Sequence, residues 1–486
     1  MQLELPYLAG SSLSVDRSVT ASRRVYVCRD LKLSRIDWVG FDMDYTLAIY
    51  HQEEMDRLSV DATVDKLVAR GYPAWLKDLD YPLDFPIRGL LIDKKLGNVL
   101  KMNRFKIVRR GYHGLRELSR DEIRALYYER KVRHKSSRFH WIDTLYGLSE
   151  ACTFATVVDA FDQRGEKVSY ADLFTDIRAS IDEAHRDGTI LEPVMANPAR
   201  FIERDELLAP TLHKLRSAGK RLFVLTNSRH AYTNVLLSYL LDGMLPDYPS
   251  YKHYFDAIIV AAQKPNFFQK NNPLLERRGA QVAPSKLPLE RGKIYENGNL
   301  GELQKALAVT GNRVLYIGDH IYGDMLRSKK DSAWRTAMVI PELEAEVVAV
   351  AESRPDLHLT GELYARRYEL EEILRQHQRR LKEATRKNGN GNGHVSSEAQ
   401  QVKQVVLSIR KQLHALDDEW GSLRHRVDGR FHPYWGSLLK EHNELSLFGA
   451  QVSEYSCVYT SRVSNLFSYS PHQYFRSPHN KLHHEL

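Results

Sequence analysis

Two aspartates stand two positions apart where an apolar run ends: Asp42 and Asp44 in VGFDMDYTLAIY, with Thr46 two further on. Burying a carboxylate is costly unless it is paired or holds a metal. One of the two can attack phosphorus while the other protonates the leaving oxygen, provided each has its own fixed environment. An ionised nucleophile facing a phosphate dianion also needs a cation. Mg²⁺ suits that place because it takes oxygen ligands from one or two carboxylates plus the substrate phosphate. A second acidic group, IGDHIYGD, supplies Asp319 and Asp324. LTNS (225–228) lies between, and Thr226 can donate its hydroxyl to a phosphoryl oxygen. Asn227 and Ser228 can open a helix whose free N–H groups favour anions. Lys264, in AAQKPNFF, can neutralise a pentavalent phosphoryl group. Singly, these read as a turn, a helix cap or a surface lysine. Together they read as a phosphoryl-transfer site.

The elements that must position them are short apolar strands at 36–41, 221–225, 257–262 and 313–317, with helix-like segments such as 231–242 between. Three of the four strands lead directly into Asp42, Thr226 and Asp319. Strands alternating with helices predict an α/β protein with a Rossmann-like parallel sheet core, its ligand beyond the carboxyl ends of the strands. Residues 1–50 and 200–360 are expected to form that core. The interval 51–199, with helical patterns at 149–162 and 170–187, reads as an inserted, mainly helical cap that excludes water and chooses the substrate. Residues 361–430 read as a helical hairpin about a flexible 387–394 linker, KNGNGNGH. Its stripe of Val402, Val405, Val406, Ile409, Leu413 and Leu416 is expected to pack internally. Residues 431–486 are expected to pack on the core.

The 486 residues exceed one small domain, and 43% hydrophobic content can supply a real core. No stretch has the roughly 20 apolar residues of a membrane helix, and the N-terminus lacks a secretory pattern. The three cysteines, Cys28, Cys152 and Cys457, are scattered singly and suit a reducing cytosol. A cytoplasmic location is therefore expected. The net charge of +8 is partly carried by a basic tract, 101–138. That tract can attract phosphate or nucleic acid, but reads better as a solvated face.

D-x-D-x-T at Asp42 to Thr46, the strand end at Thr226, Lys264 and GDxxxxD at Asp319 to Asp324 resemble the four motifs of the haloacid dehalogenase superfamily of phosphohydrolases. FDMDYTLA, LTNS, KPxFF at 264–268, YIGDHIYGDMLRSKK and WRTAMVIPEL further resemble the cytosolic purine 5′-nucleotidases, which act on IMP and GMP. DTLYGLSE, DIRASIDEAH and FGAQVSEYSCVYTSRVSNLFSYSPHQYFR extend the match; the 362–425 segment matches weakly.

The resemblance implies that Asp42 is the nucleophile, forming an aspartyl-phosphate, and that Asp44 is first general acid and then base. Asp42, the Asp44 carbonyl and Asp319 would hold Mg²⁺, with Asp324 supporting. Thr226, Asn227 and Lys264 would bind phosphoryl oxygens. Tyr146, where the family has a phenylalanine, would stack on the base. Arg178, Asp182 and His185 would contact the purine; at i, i+4 and i+7 they share one helix face. An arginine donating to a 6-oxo group and an aspartate accepting from a ring N–H favour 6-oxopurines.

The resemblance also implies phosphotransfer to a second nucleoside, and a nucleotide effector site at Arg133, Asp143, Tyr322, Lys330, Gln451 and Tyr455. Asp143 replaces a family asparagine, which is unfavourable beside an anionic effector. A dimer or tetramer is implied, and neither a membrane nor nucleic acid is the expected partner. Two rivals stand beside this reading: a phosphatase of another phosphomonoester such as a sugar phosphate, and a non-catalytic nucleic-acid-binding or scaffold protein on the same fold.

Overall fold

The computed structural model describes residues 19–128, 136–309, 311–387, 397–479 and 483–485. The chain divides into two compact units, Met1–Glu344 with His442–Leu486, and Ala345–Glu441.

The first unit is built on a ten-stranded sheet. Trp38–Phe41 runs through its middle, fully buried along all four residues. Parallel neighbours flank it, Val314–Gly318 on one side and Arg221–Leu225 on the other. The sheet continues in parallel through Ala257–Val260 to Ile294–Asn297, and in the other direction through Arg335–Val339 to Val458–Thr460. Only the margins are antiparallel: Tyr26–Val27 at one edge, and Leu274–Arg278 with Gln281–Pro284 at the other. These strands read as unbroken apolar runs because both faces are covered, as parallel sheets require. Helices Leu208–Ser217, His230–Leu241 and Leu300–Leu307 connect them. Trp38, Phe223, Tyr316 and Trp334 pack in one buried cluster of the core. Gly40 belongs to the same packing, since a Cβ there would lie 2.1 Å from the Phe223 ring.

The segment between the first and second core strands is more than helical. Beside helices Gln52–Ala69, Gly147–Arg164 and Tyr170–Arg186 it contains a five-stranded antiparallel sheet. Its strands are Leu90–Asp93, Asn98–Met102, Val108–His113, Arg116–Glu117 and Phe139–Ile142. Much of the basic tract is spent here. Lys101 is buried, and Arg138 grips the buried Asp93 through two hydrogen bonds of 2.8 and 2.5 Å. Residues 129–135 of the tract lie outside the described residues.

The second unit is a pair of long helices, Leu343–Lys387 and Ser397–Phe431. Ala399, Val402, Val406, Ile409, Leu413, Leu416, Trp420, Leu423 and Val427 follow at alternating intervals of three and four residues, and each is buried or half-buried. That is the repeat of a coiled coil. Arg367 bridges Asp417 at 3.2 Å and Arg430 bridges Asp356 at 2.6 Å, so the helices run antiparallel. The internally packed stripe expected from the sequence is present, apart from Val405, which points outward at 39% exposure. The expected 387–394 linker lies outside the described residues, save the backbone of Lys387.

One buried acid in the inserted segment carries a pH signature. Asp56 accepts a hydrogen bond from Gln52 at 2.9 Å, yet burial raises its carboxyl from 3.8 to about 7. Because the folded value is the higher one, the charged form disfavours folding. The penalty begins above pH 4, grows with pH and is complete above pH 7, with an upper bound of about 4 kcal/mol. Asp56→Asn keeps an acceptor for Gln52 without the charge. Urea denaturation should find it more stable than the wild type at pH 8 and equal to it near pH 4.

Candidate active site

Four strand ends meet at the carboxyl edge of the main sheet. Asp42 follows Phe41, Thr226 follows Leu225, Asp319 follows Gly318, and Lys264 stands four residues beyond Val260. Because 38–41 lies between 314–318 and 221–225, these residues are adjacent in space although far apart in sequence.

Lys264 is the hub. Its ammonium donates to Asp324 Oδ1 at 2.7 Å and to the Tyr316 hydroxyl at 2.9 Å, and lies 2.9 Å from Asp42 Oδ1. Its approach is held by unusual backbone: Ala261 and Gln263 adopt φ values of 48° and 58°. Left-handed conformation costs a non-glycine residue about 1–2 kcal/mol. It persists because Ala261 N–H donates to Ser228 O and Ala262 N–H to Thr226 O, at 2.9 and 3.0 Å. Asn227 completes the clamp. Its amide donates to the Lys264 carbonyl at 3.0 Å, and its carbonyl oxygen accepts from the Lys264 N–H at 2.6 Å. Both polar ends of the Asn227 side chain are thus engaged by the Lys264 backbone. The fully buried Thr226 hydroxyl accepts from Ser228 N–H at 3.0 Å.

Asp42, Asp319 and Asp324 form a buried group whose nearest carboxylate oxygens lie within 4.8 Å of one another. Burial raises Asp42 well above the usual carboxylate range; Lys264 opposes this and the neighbouring acids add to it. Burial likewise raises Asp319 to about 7, with Asp324 adding and Arg88 opposing. Burial works against charge on Lys264 too, but Asp324 and Asp42 outweigh it and hold the ammonium protonated. One ammonium among three carboxylates leaves a deficit of positive charge. A hard, oxygen-seeking divalent cation fits that donor set and that deficit. Gly318 makes the packing possible, since a Cβ there would lie 2.5 Å from Asp324 Oδ2.

Asp44 sits in a different environment. Its Oδ1 accepts from the Tyr50 hydroxyl at 2.5 Å and its Oδ2 from the Ser228 hydroxyl at 2.6 Å. Tyr50 in turn bonds the Tyr232 hydroxyl at 2.9 Å. Two carboxylates two residues apart are therefore served by separate partners, an ammonium for one and hydroxyls for the other.

Both acids open into a cleft of about 620 Å³ that is also lined by Tyr146, His185, Asn227 and Asp319. Tyr146 meets Tyr45 edge-on at 4.9 Å and His185 at 5.9 Å. Arg178 and Asp182 are not among the residues lining the cleft. Arg178 donates to the buried Glu150 at 2.6 Å and lies 3.9 Å from Asp182. Of the six residues matched to an effector site, Arg133 lies outside the described residues. Asp143 bonds His320 at 3.1 Å, next to Asp319. Partial burial lowers the proton affinity of His320, and the Asp143 carboxylate more than reverses this, to about 9. Tyr322 is exposed and accepts from Arg327 at 2.5 Å; Lys330 is exposed. Gln451 and Tyr455 lie on helix Leu447–Tyr455, which packs against the 321–326 turn.

Several site residues carry no local sequence signal. Arg88 is fully buried, paired with Glu342 at 2.8 and 2.6 Å, and donates to the Asp319 carbonyl at 3.0 Å. Tyr316, inside a strand, reads as core until its hydroxyl is found on Lys264. Tyr50 ends the run after Asp44, and nothing in its neighbourhood marks its hydroxyl as a partner of that carboxylate.

Residues 25–486 match the profile of the 5' nucleotidase family. The chain belongs to that family. Among curated proteins it is similar to a 5'-nucleotidase domain-containing protein of Dictyostelium discoideum, 28% identical over 454 residues, covering 92% of this chain and 72% of the other. It is 27% identical over 477 residues to 5'-nucleotidase domain-containing protein 2 of Rattus norvegicus, covering 95% and 80%. Among solved structures, a 2-haloacid dehalogenase of Pseudomonas syringae pv. tomato aligns at 14% identity and a TM-score of 0.23, covering 63% of this chain and 87% of that one. Like others of the 5' nucleotidase family, this protein is a phosphoric monoester hydrolase.

Removing the hub has a defined cost. Lys264→Met leaves buried carboxylates without their ammonium, which typically costs about 3–5 kcal/mol. Asp42, already raised by burial, loses the ammonium that opposes that rise, so its protonation relieves the strain. Thermal unfolding should show the deficit largest at pH 8 and smaller at pH 5.

Proposed function

We propose that the protein is a Mg²⁺-dependent 5′-nucleotidase that hydrolyses purine nucleoside monophosphates, IMP and GMP, through an aspartyl-phosphate on Asp42. The observation that carries this reading is the pairing of environments: Asp42 joined to Lys264 within an acidic group, and Asp44 two residues on, held by hydroxyls. Asp42, the Asp44 carbonyl and Asp319, supported by Asp324, would hold Mg²⁺. The ion would supply charge neutralisation at the phosphoryl oxygens.

The Met43 N–H and Lys264 engage Asp42 Oδ1, at 2.8 and 2.9 Å, which leaves Oδ2 to attack phosphorus. As the Oδ2–P bond forms, the P–O5′ bond breaks and Asp44 gives its proton to O5′. The nucleoside leaves. Asp44, now a carboxylate, takes a proton from water as that water attacks the aspartyl-phosphate, and phosphate is released with Asp42 restored. Thr226 and Lys264 bind phosphoryl oxygens, and Asn227 keeps Lys264 in place. Residues 51–199 act as the cap. Tyr146 and His185 offer ring surface to the base; Arg178 and Asp182, which stand outside the cleft with Arg178 on Glu150, would read its 6-oxo edge only after turning toward it. Attack on the aspartyl-phosphate by a nucleoside hydroxyl in place of water gives phosphotransfer. The effector set, with Asp143 among it, is a second nucleotide site.

Phosphate release from IMP, GMP, AMP and a sugar phosphate tests this. Release from IMP and GMP should require Mg²⁺ and fall by about three orders of magnitude or more in Asp42→Asn. Equal rates on all four substrates would remove the proposed base contacts. Release from none of them, alongside salt-sensitive RNA binding, would favour a scaffold. A second measurement concerns the ion alone: Mg²⁺ added to chelator-treated protein should raise the unfolding temperature by a few degrees, the order expected for a ligand at about 100 times its Kd. Asp319→Asn should show no such rise.

A further inference from the structure

The Leu343–Lys387 helix carries a second stripe that its hairpin seam does not use. Arg354, Leu357, Gly361, Tyr364, Tyr368 and Glu371 follow one another at intervals of three, four, three, four and three residues. They share one side of the helix, roughly 100° round from the seam residues Leu363, Arg367 and Leu370. The stripe is open: Leu357 is 45% exposed, Tyr364 58% and Tyr368 64%. Space beside Gly361 is empty to at least 4 Å. Glycine inside a helix costs about 0.5–1 kcal/mol relative to alanine. It gives room for a neighbouring side chain at the centre of an otherwise bulky face.

The order of residue types along the stripe is self-complementary. Read forwards it runs cation, aliphatic, glycine, tyrosine, tyrosine, anion. Laid antiparallel on a second copy about the point midway between Gly361 and Tyr364, it sets Arg354 against Glu371, Leu357 against Tyr368, and Gly361 against Tyr364. Each contact occurs twice, as two-fold symmetry requires. Arg354 makes no ion pair among the described residues. Glu371 accepts from Arg367 at 3.1 Å, but that guanidinium is shared with Asp417 at 3.2 Å. A tyrosine entering the gap over a glycine, rimmed by opposite charges, is the anatomy of a protein interface.

We propose that two copies of this chain associate through the 354–371 stripe, antiparallel and two-fold symmetric, with each Tyr364 ring seated over the partner's Gly361. The outer face of the coiled coil is thereby an assembly surface.

Light scattering and sedimentation of the full chain test this by charge exchange. Arg354→Glu and Glu371→Arg each bring like charges together at both ends, and should weaken self-association roughly tenfold or more. The double variant Arg354→Glu/Glu371→Arg restores both pairs and should recover the wild-type mass. Gly361→Leu should block the Tyr364 ring and halve the mass, with helical content unchanged by circular dichroism. Single variants that keep the wild-type mass, or a double variant no better than either single, would overturn the proposal. A wild-type chain that is monomeric at all concentrations would also overturn it, leaving the stripe to some other partner.

Discussion

A single buried ammonium organises the phosphoryl end of this molecule. Lys264 touches Asp42, Asp324 and Tyr316, so that three distant parts of the chain, the lysine's own among them, meet at one charge. In a dry site such charges interact strongly, and none of them is tolerable alone. The fold therefore has to deliver all of them together. It does so by placing Trp38–Phe41 between Val314–Gly318 and Arg221–Leu225, with Ala257–Val260 next in the row. The strained backbone at Ala261 and Gln263, and the grip of Asn227 on the Lys264 peptide groups, are consequences of the same demand.

Around that hub the environments of neighbouring groups diverge. Asp42 and Asp44 are separated by one residue, yet an ammonium faces the first and two hydroxyls face the second. Divergent surroundings are how a pair of identical carboxyls acquires different roles. The layer beneath is equally particular. Arg88, neutralised by Glu342, holds the Asp319 carbonyl and so fixes the turn that presents Asp319 and Asp324.

Much of this was legible in the chain itself. Apolar runs that end in Asp42, Thr226 and Asp319 announce their place at a sheet edge, because the run and the polar residue are contiguous. The apolar stripe of the second long helix was legible for the same local reason, at Val402, Val406, Ile409, Leu413 and Leu416; Val405 misled because a valine beside a seam looks like part of it. What escaped is non-local. Arg88 acquires its meaning from Glu342, 254 residues away, and nothing near it in sequence marks it. Tyr316 is a core aromatic by pattern, and only by contact does its hydroxyl accept from the Lys264 ammonium. The five-stranded sheet of the inserted segment was hidden because its strands are short and several carry charged residues, so alternation is broken at Arg109, Arg110, Lys101 and Asp93.

The placement of Val458–Thr460 has a consequence for biosynthesis. That strand lies between Arg335–Val339 and Tyr26–Val27, and Cys28 and Arg29 both donate to the Cys457 carbonyl. Tyr26–Val27 thus waits for a partner strand roughly 430 residues further along the chain. At roughly 5–20 residues per second the delay is on the order of tens of seconds. From the synthesis of Arg335–Val339 until that of Val458–Thr460, the nascent sheet has an open margin able to pair wrongly with another polypeptide.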